Sequence, residues 1–277
     1  MITSNRKTWK AHFILIPFSL LMIYPVLWWI GASFKSTMEL SSPSLWPTTW
    51  LWENYSNGWS FTSDFTFARF FANTLMMEFW NVLGGVVTAA LVGYGFGRLN
   101  FRFRNFWFSV LLLTMMLPSQ VTVVPQYILF NKLGLVDSYV PLILPHYFGG
   151  GAFFIFLIVQ FIRGIPRELD EAAQIDGASV YGIFFRIIAP LIKPALVTVA
   201  IFTFLWSWDD FFSQLLYLNS VEKFTVGLGL RMFIDQFEVQ WGQLLAMSLL
   251  SVIPSAIVFF VAQKHFVEGI ATTGIKG

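Results

Sequence analysis

Two adjacent carboxylates, Asp209 and Asp210, stand within a long apolar stretch of the sequence. A charge at the centre of a bilayer costs roughly 2.5–3.5 kcal/mol on insertion scales, so such acids usually face a cavity or a partner. If Pro194 marks the inner end of this stretch, Asp209 lies about 22 Å further along a helix, in the outer half of a membrane. A structural bond to a neighbouring helix end and the lining of a translocation path are equally good interpretations of the pair.

Single polar side chains interrupt the other apolar stretches. Each is more often a hydrogen bond between helices than a ligand contact. We take them, with the two acids, as candidates for a path through the membrane: Asn73, Asn81, Gln120, Gln126, His146 and Gln160.

No set of residues has the spacing of a catalytic or cofactor site. The sequence lacks a G-x-x-x-x-G-K-[ST] phosphate loop, a serine nucleophile elbow and any cysteine. His12, His146 and His265 are too scattered for a zinc-protease pattern. We therefore expect no catalytic residue, no cofactor and no metal site in this chain, and any energy for its action must come from elsewhere.

The composition defines the class of protein. Of 277 residues, 56% are hydrophobic and 12% charged, whereas an average soluble domain carries roughly twice that charged fraction. This is more apolar surface than a chain of 31.7 kDa can bury as a soluble globule. The composition excludes a soluble enzyme and a disordered chain and predicts an all-α integral membrane protein. The net charge of +2 does not indicate nucleic-acid binding.

Six apolar segments reach the roughly 20 residues that a helix needs to cross a bilayer. They cover residues 12–34, 70–99, 105–130, 138–162, 191–218 and 244–266. The first is too long for a secretory signal and contains Pro25, which predicts a retained anchor. We expect one transmembrane domain over residues 1–277.

The distribution of Lys and Arg orients these segments. With the N-terminus inside, most of the 17 Lys and Arg lie on the inner side, and the short turn from Arg98 to Arg104 is the clearest marker. This predicts a multi-pass membrane protein with both termini in the cytoplasm. The outer segment 35–69 is rich in tryptophan, which favours the headgroup level over stacking on a sugar.

The inner segment 163–190 is too long for an unstructured loop. Pro166 suits the first position of a helix, and Gly177 permits the left-handed backbone that ends one. Ser179 can cap a second short helix. The sequence therefore predicts two short helices separated by a glycine turn on the inner face.

The first of these helices is acidic, with Glu168, Asp170, Glu171 and Asp176. Helices that lie on a membrane surface are usually basic, because the leaflet is anionic. An acidic helix at this place is better explained by a protein partner that carries positive charge.

This segment resembles the EAA loop of bacterial ABC-importer permeases. The match consists of Glu171-Ala172-Ala173, Gly177, Ile187 and Ala189-Pro190, where the family has Leu-Pro at the last two positions. Residues 206–211 and 266–277 are similar to the carbohydrate-uptake branch, and within it to the second, shorter permease subunit of maltose-type importers. The resemblance extends over nearly the whole chain.

The resemblance implies the type I ABC importer permease fold, with six transmembrane helices and a cytoplasmic coupling helix that docks on an ATPase subunit. In this family Glu171 matches the acid that pairs with a basic residue of that subunit, and the adjacent alanines permit close packing. The implied coupling residues are Glu171, Ala172, Ala173, Asp176 and Gly177.

The resemblance also implies the partners and the substrate. The partners are a second homologous permease subunit, two cytoplasmic ATPase subunits that bind ATP and Mg, and a periplasmic or lipid-anchored solute-binding protein, with lipid around the spans. The expected substrate is a carbohydrate, specifically an oligosaccharide such as alginate fragments, with maltodextrins and glycerol-phosphate compounds as rivals. The alternative is an ion-coupled secondary transporter of a small polar solute, a class that usually has internal repeats and charges at the midplane.

Overall fold

The protein is described from a computed structural model. It describes residues 5–61, 64–149, 151–235 and 239–273, without the side chains of residues 5–8, 10, 11, 119 and 264–273. The side chains of Arg6, Lys7 and Lys10, which are basic residues near the N-terminus, lie outside this description. The side chains of residues 266–277, which carry the C-terminal part of the family resemblance, also lie outside it.

Apart from one isolated bridge between Ile234 and Val239, the regular structure of the described residues is helical. Short 3-10 turns cover Glu39–Ser41 and Val221–Lys223, and a π-helical turn covers Phe184–Ile188. The α-helices are α1 Asn5–Ala32, α2 Glu53–Trp59, α3 Ala68–Arg98, α4 Arg104–Met116, α5 Ser119–Lys132, α6 Val140–Tyr147, α7 Ala152–Arg163, α8 Glu168–Ile175, α9 Val180–Ile183, α10 Ala189–Leu191, α11 Lys193–Trp208, α12 Phe211–Tyr217, α13 Val226–Arg231 and α14 Trp241–Thr273.

Four stretches in the described part of the chain are long and apolar enough to cross a membrane. They are His12–Ala32, Ala68–Arg98, Val140–Arg163 and Trp241–Gln263. Two bent pairs of helices raise the number to six when each pair counts as one span. The predicted class, an all-α protein with several membrane-spanning helices, is confirmed, and six is an approximate count of the spans.

The predicted helix over 105–130 is two helices in the structure. Helices α4 and α5 meet at a bend of 103°. Pro118 lies at this bend, and the residue before it, Leu117, is extended with ψ 123°. Proline removes a backbone donor and disfavours the helical conformation of the preceding residue, so the helix ends there.

The chain divides into two compact units, residues 70–228 with 254–277, and residues 1–69 with 229–253. The core of the larger unit is formed by α3, α7 and the segment from α9 to α11. A Cβ atom added to Gly93 or Gly97 of α3 would lie 2.6 Å from Ile158 or 2.7 Å from Ile162 of α7. Glycine at these positions therefore lets the two helices approach closely, as small residues do between membrane helices.

The smaller unit contains the outer tryptophans. The ring of Phe34 is buried, with centroids 4.8–5.0 Å from those of Trp50, Trp52 and Tyr55. Trp46 lies against Trp50, and these tryptophans keep about half or more of their surface exposed. Their rings are held by one another, and exposed indole surface suits both the headgroup level and a sugar face.

The loop that carries these tryptophans is fixed by polar contacts. The Lys35 ammonium is buried and donates to the Ser44 carbonyl. The Glu39 carboxylate accepts from the Thr48 amide at 2.6 Å and from its hydroxyl at 2.9 Å. The Thr48 amide therefore lowers the pKa of Glu39, and the charged form of Glu39 holds the loop.

Candidate functional site

The predicted coupling segment contains the helix and turn that its sequence indicates. Helix α8 begins at Glu168, two residues after Pro166, and its first turn carries Glu168, Asp170 and Glu171. Acids in the first turn face the positive end of the helix dipole. Gly177 follows the helix with φ +79°, a left-handed conformation that glycine adopts without steric cost.

A second short helix starts directly after this turn. The Ser179 hydroxyl accepts a hydrogen bond from the Gly182 amide at 3.2 Å, which is the side-chain cap that the sequence predicts. The helical path continues through the π-helical turn as far as Leu191 and then bends by 75° into α11. The coupling segment is thus a hairpin of two helices that runs directly into a membrane span.

One acid of α8 has a role inside the subunit that the sequence did not reveal. Asp170 is buried, and its carboxylate lies 2.8 Å from Nε of Arg98 at the C-terminal end of α3. The same guanidinium donates to the Ile165 carbonyl at 2.7 Å. The expectation that the acids of this helix face a basic partner therefore does not hold for Asp170.

A second contact fixes the other arm of the hairpin to the same helix. The Tyr94 hydroxyl donates to the Val180 carbonyl at 3.1 Å, and its ring lies 5.0 Å from that of Phe184. Tyr94 and Arg98 are four residues apart and share one face of α3. Helix α3 therefore holds both arms of the coupling segment.

The five predicted coupling residues lie together on this segment. Ala173 is partly buried and packs against the core, whereas the other four are exposed. The five residues are Glu171, Ala172, Ala173, Asp176 and Gly177. One small residue thus packs inward while the rest of the set remains available to a partner.

Large apolar side chains are exposed beside them. The exposed fractions are 43% for Leu169, 87% for Ile175, 76% for Tyr181 and 65% for Phe185. Clustered exposed apolar residues rimmed by charges are typical of protein interfaces. The exposed surface of the hairpin therefore includes large apolar side chains as well as the acids Glu171 and Asp176.

The second candidate region, around Asp209 and Asp210, is a break in a span and not a continuous helix as the sequence predicted. Helix α11 ends at Trp208, and Asp210 caps α12 by accepting from the Ser213 amide at 3.1 Å. A capping carboxylate offers the backbone an alternative to the helical hydrogen bond, which explains why the helix stops here. The structural interpretation of Asp210, a bond to a helix end, is therefore observed.

Asp210 also lines a cavity of about 160 Å³. Its apolar walls are Met77, Leu142, Phe154 and Trp206. Its polar lining consists of Asn81, His146, Thr203, Ser207, Asp210 and Gln214. The structure thus brings Asn81, His146 and Asp210 together, three of the candidates for a path.

Two buried polar side chains of the cavity are only partly satisfied. Asn81 donates from Nδ2 to the Ser207 hydroxyl at 2.5 Å, but its Oδ1 has no partner among the described residues. The Thr203 hydroxyl is likewise without a partner in the described part of the chain. Both residues are 1% exposed, and such unsatisfied buried groups are uncommon in proteins.

Glu78 lies next to this cluster. It is 1% exposed, interacts with Ser207, and is close enough to Asp209 and Asp210 for their charges to oppose its own. Neither of its oxygens forms a hydrogen bond of normal geometry within the described residues. Three acids, Glu78, Asp209 and Asp210, therefore lie close together at this break.

The remaining candidates for a path lie elsewhere. Asn73 donates to the carbonyls of Glu222 and Phe224 at 2.8 and 2.9 Å, so it fixes the loop before α13. Gln120 and Gln126 are exposed on α5, away from the cavity. Gln160 is exposed on α7, and Asp209 is exposed beside the break without lining the cavity.

The sequence did not single out Thr203, Ser207 and Gln214 as cavity residues. Ser207 and Gln214 flank the break. The hydroxyl of the buried Thr225 donates a hydrogen bond to the side-chain oxygen of Gln214. The sequence contained one signal for these residues. Thr203 and Ser207 are four residues apart, and Asp210 follows three residues later, so helical spacing predicts that the three share a face.

An ionic cluster joins the loop after α5 to the loop after α12. The Asp137 carboxylate lies 2.8 Å from Nζ of Lys223 and accepts from the Ser220 hydroxyl at 2.6 Å. The Asn219 and Ser220 amides also donate to it, each at 2.9 Å. The Lys223 ammonium, with these donors, holds the pKa of Asp137 well below its usual range.

Comparison with known proteins identifies the class to which this arrangement belongs. The chain belongs to the family of binding-protein-dependent transport system inner membrane components, whose model matches residues 85–272. It is therefore a multi-pass permease of the inner membrane. This match includes the coupling segment, the span break and most of the cavity.

Two relatives of similar length are permeases of oligosaccharide transport systems. The chain is 33% identical over 263 residues to the arabinooligosaccharides transport system permease protein AraQ of Bacillus subtilis, covering 94% of this chain and 92% of the relative. It is 30% identical over 268 residues to the galactooligosaccharides transport system permease protein GanQ of the same organism, covering 96% and 95%.

A solved structure has the same fold. A chain of a bacterial ABC transporter involved in the import of the acidic polysaccharide alginate matches with a TM-score of 0.81. The match covers 96% of this chain and 100% of that chain, at 22% identity. It confirms the predicted fold of an ABC importer permease.

Proposed function

We propose that this chain is a transmembrane permease subunit of an ATP-driven importer that moves an oligosaccharide into the cytoplasm. The observation that carries the proposal is the coupling hairpin, in which exposed Glu171 and the Gly177 turn lie on a segment held by α3. A rigid element fixed to a span transmits the movement of a docked partner as a rigid-body shift.

The substrate class is supported by the relatives, whose systems are named for arabinooligosaccharides and galactooligosaccharides. The cavity agrees with such a substrate, since it combines aromatic and polar walls, as carbohydrate sites do. The narrower expectation of alginate oligosaccharides belongs to the same class.

ATP hydrolysis is assigned to partner subunits. We expect two cytoplasmic ATPase subunits that bind ATP and Mg, a second homologous permease, and a periplasmic or lipid-anchored binding protein. Both termini of this chain are then cytoplasmic, because the hairpin must face the ATPase. The spans form one transmembrane domain, which lipid surrounds.

The test is uptake of labelled oligosaccharide into proteoliposomes that contain the assembled complex. Uptake should require ATP on the cytoplasmic side and stop with a catalytically inactive ATPase subunit. It should persist when an uncoupler removes ion gradients while ATP is held constant. Uptake that follows an ion gradient without ATP would instead establish the secondary transporter, and inverted orientation of the termini in a protease-protection assay would contradict the topology.

A further inference from the structure

The turn between α3 and α4 is a basic surface that the proposed function does not use. It carries Arg102 and Arg104, and the sequence has no acidic residue from position 79 to position 136. Among the residues that the structure describes, neither arginine forms an ion pair. Arg102 is exposed and Arg104 is half-buried. The turn therefore presents positive charge that no described acid of this subunit neutralises.

The turn lies at the membrane surface, because it joins two spans directly. The span Ala68–Arg98 ends before it, and the bent span that begins at Arg104 follows it. A connection this short must leave the span ends and return, so it reaches at most roughly 10 Å beyond them at 3.6 Å per residue. The headgroup region on each side of a bilayer is about 5–8 Å thick. The two arginines therefore lie at the depth of the lipid headgroups.

A groove of about 490 Å³ opens beside the turn. Its lining combines Arg104 with two asparagines and three phenylalanines, at positions 100, 101, 103, 105 and 106. Nη1 of Arg104 donates to the Leu99 carbonyl at 3.1 Å and to the side-chain oxygen of Asn100 at 3.2 Å. These bonds hold the guanidinium in place, and its Nε and Nη2 have no acceptor within the described part of the chain. A fixed guanidinium with free donors is well suited to a phosphate group.

The backbone of Phe103 is strained, and its ring remains at the surface. Its φ is +62°, a left-handed value that is uncommon for a bulky side chain and costs free energy. The Arg102 guanidinium lies 4.9 Å from the centroid of this ring. Phe103 and Phe106 keep 62% and 59% of their surface exposed, so packing within the subunit does not account for the strain. The turn presents apolar rings beside two cations.

An acidic phospholipid matches this combination of charge and apolar surface. Its phosphate accepts hydrogen bonds from guanidinium groups, and its glycerol and acyl carbons suit aromatic rings at the level of the membrane interface. Basic residues at the cytoplasmic surface of a membrane attract anionic lipids. A protein partner suits the surface less well, because Phe106 and Trp107 are exposed on the first turn of a span, where lipid is the solvent.

We infer that the groove beside this turn binds the headgroup of an acidic phospholipid of the inner leaflet, with Arg102 and Arg104 on the phosphate and the rings of Phe103 and Phe106 against its apolar part. The inference goes beyond the proposed function and rests on it only for the choice of leaflet. The turn begins directly after Arg98, whose ion pair holds the coupling segment, so the bound lipid lies beside that segment.

The test uses site-specific cross-linking in the assembled complex, in liposomes of phosphatidylcholine and phosphatidylglycerol. A photoreactive phenylalanine derivative replaces Phe106, and the two lipids are radiolabelled in separate samples. Phosphatidylglycerol should be cross-linked in preference to phosphatidylcholine. The same derivative at Phe212 is the control and should show no such preference, because Phe212 is also 59% exposed but follows the acids Asp209 and Asp210.

Two variants examine the groove itself. Arg102→Gln should lower the preference at Phe106 about fivefold, the factor that corresponds to one basic residue near an anionic surface. Arg167→Gln is its matched control, since this exposed arginine lies outside the groove, and it should leave the preference unchanged. Phe103→Gly removes the ring and relieves the left-handed strain, so it should lower the preference without lowering the unfolding temperature.

Equal preference in the unaltered chain and in Arg102→Gln overturns the inference. So does a cross-link from position 106 to a protein subunit in place of lipid. Displacement of the labelled lipid by millimolar inorganic phosphate also overturns it, because the site then takes a free anion. Cross-linking needs neither ATP nor sugar, so a complex that cross-links phosphatidylglycerol and imports no oligosaccharide refutes the proposed function alone.

Discussion

Arg98 Nε and Asp170 Oδ2 lie 2.8 Å apart and join the C-terminal end of α3 to the first turn of α8. Both side chains are almost completely shielded from solvent, with exposed fractions of 5% and 12%. Removing one member of a buried pair leaves an uncompensated charge. The free-energy cost of that charge exceeds the stabilisation that the intact pair provides.

Breaking this pair should therefore destabilise the coupling segment. We expect Asp170→Ala to lower the free energy of unfolding by about 3–5 kcal/mol, measured by thermal unfolding of the purified protein in detergent. The exchange of Arg98→Asp with Asp170→Arg should recover part of the loss. Glu168→Ala is the control, because this exposed acid in the same turn should change stability by less than about 0.5 kcal/mol. Equal effects of the two alanine variants would contradict the role of the ion pair.

Gly177→Val tests the turn of the coupling segment. The position has φ +79° and no atom within 4 Å of an added Cβ, so backbone strain is the main effect, of roughly 1–2 kcal/mol. We expect sugar uptake by the assembled complex to fall well below that of the unaltered chain. Gly134→Val is matched, because Gly134 has φ +67° and equally open space outside the segment. Loss of uptake in both variants would point to strain alone.

We expect Glu171 to contact a partner subunit and not to stabilise the fold of this chain. Its side chain is exposed, so Glu171→Gln should leave thermal stability unchanged. We expect the variant to retain less ATPase subunit in copurification, and its difference from the unaltered chain should shrink at higher salt because exposed charge pairs are screened. Glu168→Gln provides the comparison on the same helix. Retention equal to that of the unaltered chain would remove Glu171 from the docking contact.

Substitutions at two glycines of α3 distinguish the effect of close packing on stability from the effect of helix propensity. An added methyl at Gly93 would lie 2.6 Å from Ile158, whereas at Gly95 nothing lies within 4 Å. Gly93→Ala should destabilise the protein by about 1–3 kcal/mol through overpacking. Gly95→Ala should stabilise it by up to about 1 kcal/mol, since alanine is the better helix former. Thermal unfolding of both variants distinguishes these effects, and a stabilised Gly93→Ala would refute the close contact.

The Asp137 cluster predicts a pH dependence. Because Lys223 and the Ser220 donors lower the pKa of Asp137 in the folded state, its stabilising effect is present above the unfolded pKa of about 3.9 and is lost as the pH falls below that value. Asp137→Asn should therefore unfold at a lower temperature than the unaltered chain at pH 7, with a smaller difference at pH 3. Asparagine tolerates the φ of +60° at this position. A difference that grows as the pH falls would contradict the assignment.

The sequence predicted the elements that depend on local rules. The turn at Gly177 and the cap at Ser179 follow from conformational preferences of single residues. The class followed from composition. The EAA-like spacing indicated the family, because its residues lie close together along the chain.

The breaks and long-range partners were harder to predict. Pro118 was visible, but a proline inside an apolar run is compatible with both a kink and a sharp bend. Asp170 belonged to an acidic run, and only the fold brings Arg98 to it across many residues. The unpaired atoms of Asn81 and Thr203 depend on which helices meet, so no periodicity in the sequence predicts them.

Helix α3 contacts distant parts of its unit at its two ends. Near its N-terminal end, Asn73 and Thr74 hold the loop at Glu222 and Val226, and Arg98 holds the coupling segment at its C-terminal end. The helix has no proline between these points and rises about 38 Å from Asn73 to Arg98. It is therefore one continuous rod that spans the membrane, and a displacement of the hairpin that moves Arg98 must either bend the helix or displace the loop at its far end.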